Sequence, residues 1–290
     1  MRRLAVTALL VLGLAGVARA TPARAPPAAP EQVSFDSLDG HTRLVGYLFR
    51  PGSGGRRPAM VLMHGRSGAY SSNAHGDYSA ATLRLRDADW ARQWAQRGFV
   101  VLIVDSFGPR GYPAGFAAGT HADRPAEINE ITVRPLDAYG ALDWLQTRRD
   151  VDPRRVGLMG WSNGASAVLV AMAEPHGQAR FQIGVALYPG CGLGGRFADG
   201  YQPYAQVLVY IGQADEEVSS IACRPLSNAT NEVTVVEFPD ATHDFDDPAN
   251  RRQDLAANRT ANAAARDEVY RLVTQALGLV APNPRRRVPK

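Results

Sequence analysis

Apolar positions in this chain gather into short runs with amphipathic stretches between them. Pro58–Met63, Phe99–Val104, Val156–Met159, Gln182–Leu187, Gln206–Ile211 and Glu232–Phe238 are each too short for a helix and mostly apolar. Runs without polar alternation predict strands covered on both faces, as in a parallel sheet. Between them, helical patterns run over Asp89–Arg97, Arg134–Arg148, Ala165–Ala173 and Arg251–Leu277. Upstream, Gln32–Asp36 and Thr42–Phe49 flank Asp39-Gly40, a hairpin signal. Strands alternating with helices predict an α/β fold, with a mostly parallel central sheet and helices on both faces. Neither a repeat nor a second boundary breaks residues 32–278, which read as one domain.

The two ends follow other patterns. Met1-Arg2-Arg3 is a basic start, Leu4–Val17 is apolar but too short to span a bilayer, and Ala18-Arg19-Ala20 is a cleavage signal. Residues 1–20 are therefore expected to be a signal peptide, with a mature start at Thr21. The arginine pair points weakly to twin-arginine export. Residues 21–31 read as a Pro/Ala-rich spacer and 279–290 as a basic flexible tail. The expected location is periplasmic or secreted, with no stable membrane anchor after cleavage.

Charge narrows the function classes. The chain has 290 residues, 45% of them hydrophobic, and a formal charge of +4. Setting aside Arg2, Arg3, Arg19, Arg285, Arg286, Arg287 and Lys290 leaves 25 basic against 28 acidic residues. The body is near neutral, so the pI of about 9.3 is no argument for a nucleic-acid partner. Lys290 is the only lysine, which excludes a Ser-Lys dyad, a Schiff-base lysine and a Walker A lysine. No metal-binding motif appears, and neither metal nor cofactor is expected.

The candidate chemistry centres on Arg155–Ala173. A strand runs into Gly160-Trp161-Ser162-Asn163-Gly164 and leaves as a helix of small residues, the context of a nucleophile elbow. Ligands of such sheets bind at the carboxyl ends of the strands. There stand Gly212-Gln213-Ala214-Asp215, Pro239-Asp240-Ala241-Thr242-His243 and His64-Gly65-Arg66. A serine hydroxyl needs an imidazole to take its proton, and the imidazole needs a carboxylate to hold its tautomer. Ser162, Asp215 and His243 supply these in the order used by α/β-hydrolases. Asp215 also reads as an N-cap for a segment starting at Glu216, with Glu216 and Glu217 as competitors for the acid role; Asp240 reads as a turn residue. His64 reads as structural, and His41, His75, His121 and His176 as surface residues. The oxyanion donors expected are the N–H groups of Asn163 and Arg66.

Several motifs together carry a resemblance. His64-Gly65-x-x-Gly68, Asp105-Ser106-Phe107-Gly108-Pro109-Arg110-Gly111, Gly160–Gly164, Tyr188-Pro189-Gly190-Cys191, Gly212-x-x-Asp215 and Ala241-Thr242-His243-Asp244-Phe245-Asp246 resemble the dienelactone hydrolase family of α/β-hydrolases over about residues 32–278. The resemblance implies an ester or lactone hydrolase with nucleophile Ser162, acid Asp215 and base His243. The enzyme that gives the family its name has a cysteine nucleophile and a glutamate on the loop after the first buried strand. Here Ser162 and His64-Gly65-Arg66 stand in those places, so a broader carboxylic-ester hydrolase is the expectation and dienelactone a doubtful substrate.

An exported chain with two cysteines admits one internal bridge, Cys191–Cys223, with two buried thiols as the alternative. The long segment Ser106–Thr132 is expected to shape the site. Arg110 reads either as a clamp for a substrate carboxylate or as a structural ion pair. Tyr70 and Trp161 read as pocket-lining or as core. The expected partner is a small ester or lactone. A non-catalytic binding protein on the same fold, and a prolyl-oligopeptidase-like peptidase, stay open; the latter lacks a propeller-sized N-terminal domain.

Overall fold

The computed structural model describes residues 29–52, 54–228, 232–248 and 251–279. The signal-peptide reading, most of the spacer and the basic tail lie outside these residues. Eight strands form one sheet: β1 (Glu31–Asp36), β2 (Arg43–Phe49), β3 (Arg57–Met63), β4 (Val100–Asp105), β5 (Val151–Trp161), β6 (Gly184–Leu187), β7 (Val207–Gly212) and β8 (Val233–Phe238). Their order is β1-β2-β4-β3-β5-β6-β7-β8. β1 and β2 form the antiparallel hairpin that Asp39-Gly40 predicts, with Gly40 at φ 84°. β2 joins β4 antiparallel, and every later pairing is parallel.

Four helices cover the sheet: α1 (Leu85–Gln96), α2 (Arg134–Gln146), α3 (Asn163–Ala173) and α4 (Ala256–Ala276). Every residue of β4 and β7 is buried, as unalternating apolar runs require. α1 meets α4 through Trp94 and Tyr270, whose rings lie 4.4 Å apart, and α2 packs on α3. The predicted final helix starts late: Arg251–Asp254 is a 3-10 turn, and the α-helix begins at Ala256. Ser106–Thr132 carries three 3-10 turns, Gly108–Arg110, His121–Asp123 and Ala126–Ile128.

All the parallel strands end at one edge, and short exits gather there. Gly212 has no room for a Cβ, because the carbonyl of Ala241 occupies that space. Gln213 N–H donates to Phe238 O at 2.9 Å and Ala214 N–H to Ala241 O at 3.0 Å. The β7 exit is thereby fastened to the β8 exit, and with it the loop of Asp215 to the loop of His243.

Candidate active site

The turn between β5 and α3 is as tight as its glycines suggest. A Cβ at Gly160 would strike the backbone of Gly164, and one at Gly164 would strike the carbonyls of Met63 and His64. Ser162 takes φ 51° and ψ −117°, a conformation that a side-chain-bearing residue adopts only when its surroundings impose it. The following helix begins at Asn163, so its first N–H groups have no partner within the helix and its positive end lies beside the serine.

Ser162, His243 and Asp215 form one hydrogen-bonded relay. His243 Nε2 lies 3.1 Å from Ser162 Oγ, and His243 Nδ1 lies 2.8 Å from Asp215 Oδ2. A carboxylate can only accept, so Nδ1 carries the proton and Nε2 accepts from the Ser162 hydroxyl. Burial works against a charged imidazole here. The hydrogen bond to Asp215 and the charges of Asp244, Asp215 and Glu217 outweigh it and hold His243 above the ordinary histidine range. Both Asp215 oxygens are engaged: Oδ1 accepts from the N–H groups of Glu217 and Val218 at 2.9 Å each, capping that turn, while Oδ2 faces His243. Neither competitor takes Nδ1. Glu216 accepts from the His243 backbone N–H at 3.1 Å and pairs with Arg252. Glu217 pairs with Arg66. Asp240 is a turn residue at φ 56°.

The β3 exit lies against this relay. A Cβ built on Gly65 would sit 3.6 Å from Ser162 Cβ, so the backbone leading into Arg66 passes beside the serine. The Arg66 side chain has its own work: Nε and Nη2 grip Glu217 at 2.9 and 2.5 Å, and Nη1 donates to Phe116 O at 3.2 Å. A cavity of about 790 Å³ opens in front, with Ser162, Asn163, Arg66 and Glu217 on its walls together with the glycine-rich segment from Gly190 to Gly195.

His64 is structural. It is fully buried and accepts from Ser106 N–H at Nε2, so Nδ1 donates to Gly65 O at 2.7 Å. Burial, followed by the nearby Arg134 guanidinium, keeps it neutral. Cys191 and Cys223 are joined.

Three predicted binding residues are occupied elsewhere. Arg110 donates to both Asp137 oxygens, to Asp39 Oδ2 and to Ser106 O at 2.6–2.9 Å, tying the β1–β2 turn to the first turn of α2. It takes the structural ion-pair reading, not the clamp. Tyr70 donates to Asp105 Oδ2 at 2.9 Å and meets the Tyr47 hydroxyl at 2.8 Å; it lines a separate cavity with Tyr47 and Tyr78. Trp161 is fully buried, its indole N–H bonded to Asp246 Oδ2 at 3.0 Å, so it is core.

Other residues escape the sequence reading. His121 is exposed at the surface, as read, but it also bonds Glu130 at 2.8 Å on the cavity wall, with Arg124 nearby. Asp246 accepts from Trp90, Trp161 and Tyr188 at 2.6–3.0 Å and so anchors the loop after His243. The amide of Asn258 on α4, fully buried, clasps Thr242 on both its N–H and its hydroxyl at 2.9 Å. Arg134 on α2 donates to Asn163 Oδ1 at 2.5 Å. Only the Asp246 position carried a signal, as the last member of the motif around His243.

Comparison with known proteins agrees with the fold. An uncharacterised protein of Mycobacterium tuberculosis (strain H37Rv) is 29% identical over 233 residues, 74% of this chain and 73% of the relative. A putative dienelactone hydrolase from Klebsiella pneumoniae superposes with a TM-score of 0.63 at 15% identity, over 84% of this chain and 99% of the other. Esterase 2 of Thermogutta terrifontis, in a structure phosphorylated by paraoxon, superposes with a TM-score of 0.57 at 18% identity, over 90% and 100%. The model of the dienelactone hydrolase family matches residues 45–280, and the chain belongs to that family of hydrolases.

Proposed function

We propose that this chain is an exported serine hydrolase that cleaves a small carboxylic ester or lactone through an acyl-enzyme on Ser162. The observation that carries this reading is the unbroken relay from Asp215 through His243 to Ser162, ending at an open cavity. His243 takes the serine proton as Ser162 Oγ attacks the carbonyl carbon. Asp215 fixes the tautomer and stabilises the imidazolium. The oxyanion is received by the N–H of Asn163, at the positive end of α3, and by that of Arg66 on the adjoining loop. His243 then gives its proton to the leaving alcohol, and water repeats the sequence to release the acid. Export rests on the leader-like first 20 residues, and the Cys191–Cys223 bridge suits an oxidising compartment.

A serine-directed phosphonate should label Ser162 and no other serine, read by peptide mass spectrometry. Ser162→Ala should lower hydrolysis of a chromogenic short-acyl ester by about 10⁴-fold or more, since only the oxyanion site and binding remain. Undiminished hydrolysis in Ser162→Ala would sink the mechanism. No labelling and no hydrolysis by the wild type would leave a binding protein on the same fold.

A further inference from the structure

Resting on that reading, we infer that Glu217 is a positioning residue for the base: held by Arg66, its carboxylate stands beside the catalytic nitrogen of His243 as a counter-charge for the imidazolium formed in turnover. Glu217 Oε2 lies 3.7 Å from His243 Nε2, the same nitrogen that faces Ser162 Oγ. Asp215 is already committed to the opposite side of the ring at Nδ1. Once Nε2 takes the serine proton, the positive ring has a carboxylate on either side, Asp215 bonded at Nδ1 and Glu217 3.7 Å from Nε2. No side chain has to travel far for Glu217 to act, because Arg66 grips both of its oxygens and is itself braced on Phe116 O.

The other carboxylates near the ring do not stand at Nε2. Glu216 reaches only the His243 backbone N–H and is paired with Arg252. Asp244, next in the chain, is taken by Arg86 at 2.6 Å, and Arg86 also binds the Tyr188 hydroxyl at 3.0 Å. The Tyr188 ring lies 4.6 Å from the His243 ring and offers no charge there. Glu217 is thus the carboxylate on the substrate side of the imidazole, and it lines the same cavity as Ser162. Arg66 sets how strongly it acts. A lone carboxylate beside Nε2 would favour the imidazolium so much that it would give up its proton reluctantly; the guanidinium offsets part of that charge. The raised His243 value, with Glu217 among its contributors, accords with this geometry.

Two substitutions should therefore act in opposite directions. In Glu217→Gln the acid limb of the kcat/KM profile on a neutral ester should move down by about half a pH unit, because the imidazolium loses a counter-charge. In Arg66→Gln, which keeps the backbone N–H of residue 66, the limb should move up by about as much. NMR titration of the His243 ring in the resting protein should show the same two shifts, and this readout does not need turnover. A purely structural ion pair would lower the melting temperature of both variants and leave the limb and the titration where they are in the wild type; that result overturns the inference. Loss of hydrolysis in the wild type would count against the hydrolase reading, while the titration would still decide the role of Glu217.

Discussion

Two polar clusters stand at the carboxyl edge of the sheet and are built alike. In one, Asp215 holds His243; in the other, Asp39 and Asp137 hold Arg110. Burial does not tell them apart: the side chains are 0% and 2% exposed in the first, and 6%, 0% and 4% in the second. The difference lies in where each chain of hydrogen bonds ends. The Arg110 cluster closes on itself, at Ser106 O and at the Ser37 hydroxyl, which donates to Asp137 at 2.7 Å. The His243 chain ends at a hydroxyl on a cavity wall. A buried polar network becomes chemistry when its last member faces open space; otherwise it holds loops together.

The largest effect should come from breaking the open cluster without disturbing the fold. Asp215→Asn keeps an oxygen to cap the Glu217 and Val218 N–H groups, but the amide nitrogen would donate to Nδ1 and force the proton onto Nε2. Hydrolysis should fall about 10⁴-fold, with the melting temperature nearly unchanged. Retained activity would mean that the relay is as structural as its neighbour.

The closed cluster should fail in the other way. Arg110→Ala leaves Asp39 and Asp137 buried without their cation, at a cost of about 3–5 kcal/mol. Carboxylate-bearing and neutral esters should be affected alike; a selective loss on the anionic ones, with stability intact, would restore the clamp. The acid behaviour should change too. Burial opposes charge on Asp39, but bonds from Thr42, the His41 and Thr42 N–H groups and Arg110 hold it well below the ordinary carboxylate range. A depressed folded-state value stabilises the protein at pH values above the unfolded one, and that stability is lost as pH falls through the depressed value. Removing Arg110 narrows this window, so acid unfolding should begin at a higher pH.

The contrast also explains what could be read before the structure. Residues fixed by backbone geometry were legible: Ser162 at a turn where Gly160 and Gly164 leave no space, and Asp215 and His243 a few residues past adjoining strands. Each lies where periodicity ends and a tight exit begins. Arg110, Tyr70 and Trp161 each read two ways, as pocket residue or as structural one, and the structure gives all three partners away from the Ser162 cavity. Arg110 and Tyr70 sit on loops whose course has no period, and Trp161 alternates inward at the last position of its strand. His121 on a 3-10 turn and Arg124 just after it reach the cavity from a stretch with no repeating pattern. Arg66 was picked for its backbone, and its side chain proved to be committed to a glutamate 151 positions away. Such long-range pairing leaves no trace in local spacing.

The open cluster needs a wall that side chains alone do not build, and the smallest of these effects should be seen there. Gly190, Gly192, Gly194 and Gly195 line the cavity with almost no side-chain surface to pack. Cys191 sits among them, and Cys223 lies in the 3-10 segment Ser220–Asn228, just beyond the Asp215 turn. The bridge spans 32 positions and fastens one cavity wall to the segment that follows the acid. In the chain-entropy picture a closure of this length contributes about 3.7 kcal/mol. Reduction should therefore lower the melting temperature by about 7–15 °C. Unfolded, unreduced protein should titrate with no free thiol. The Arg110 cluster contains no part of this wall, so its variant should lose the same increment on reduction as the wild type, the two effects adding. A reduced protein as stable as the oxidised one would show that the glycine-rich wall is held by its surroundings without the bridge, and that the open and closed clusters do not differ in what supports them.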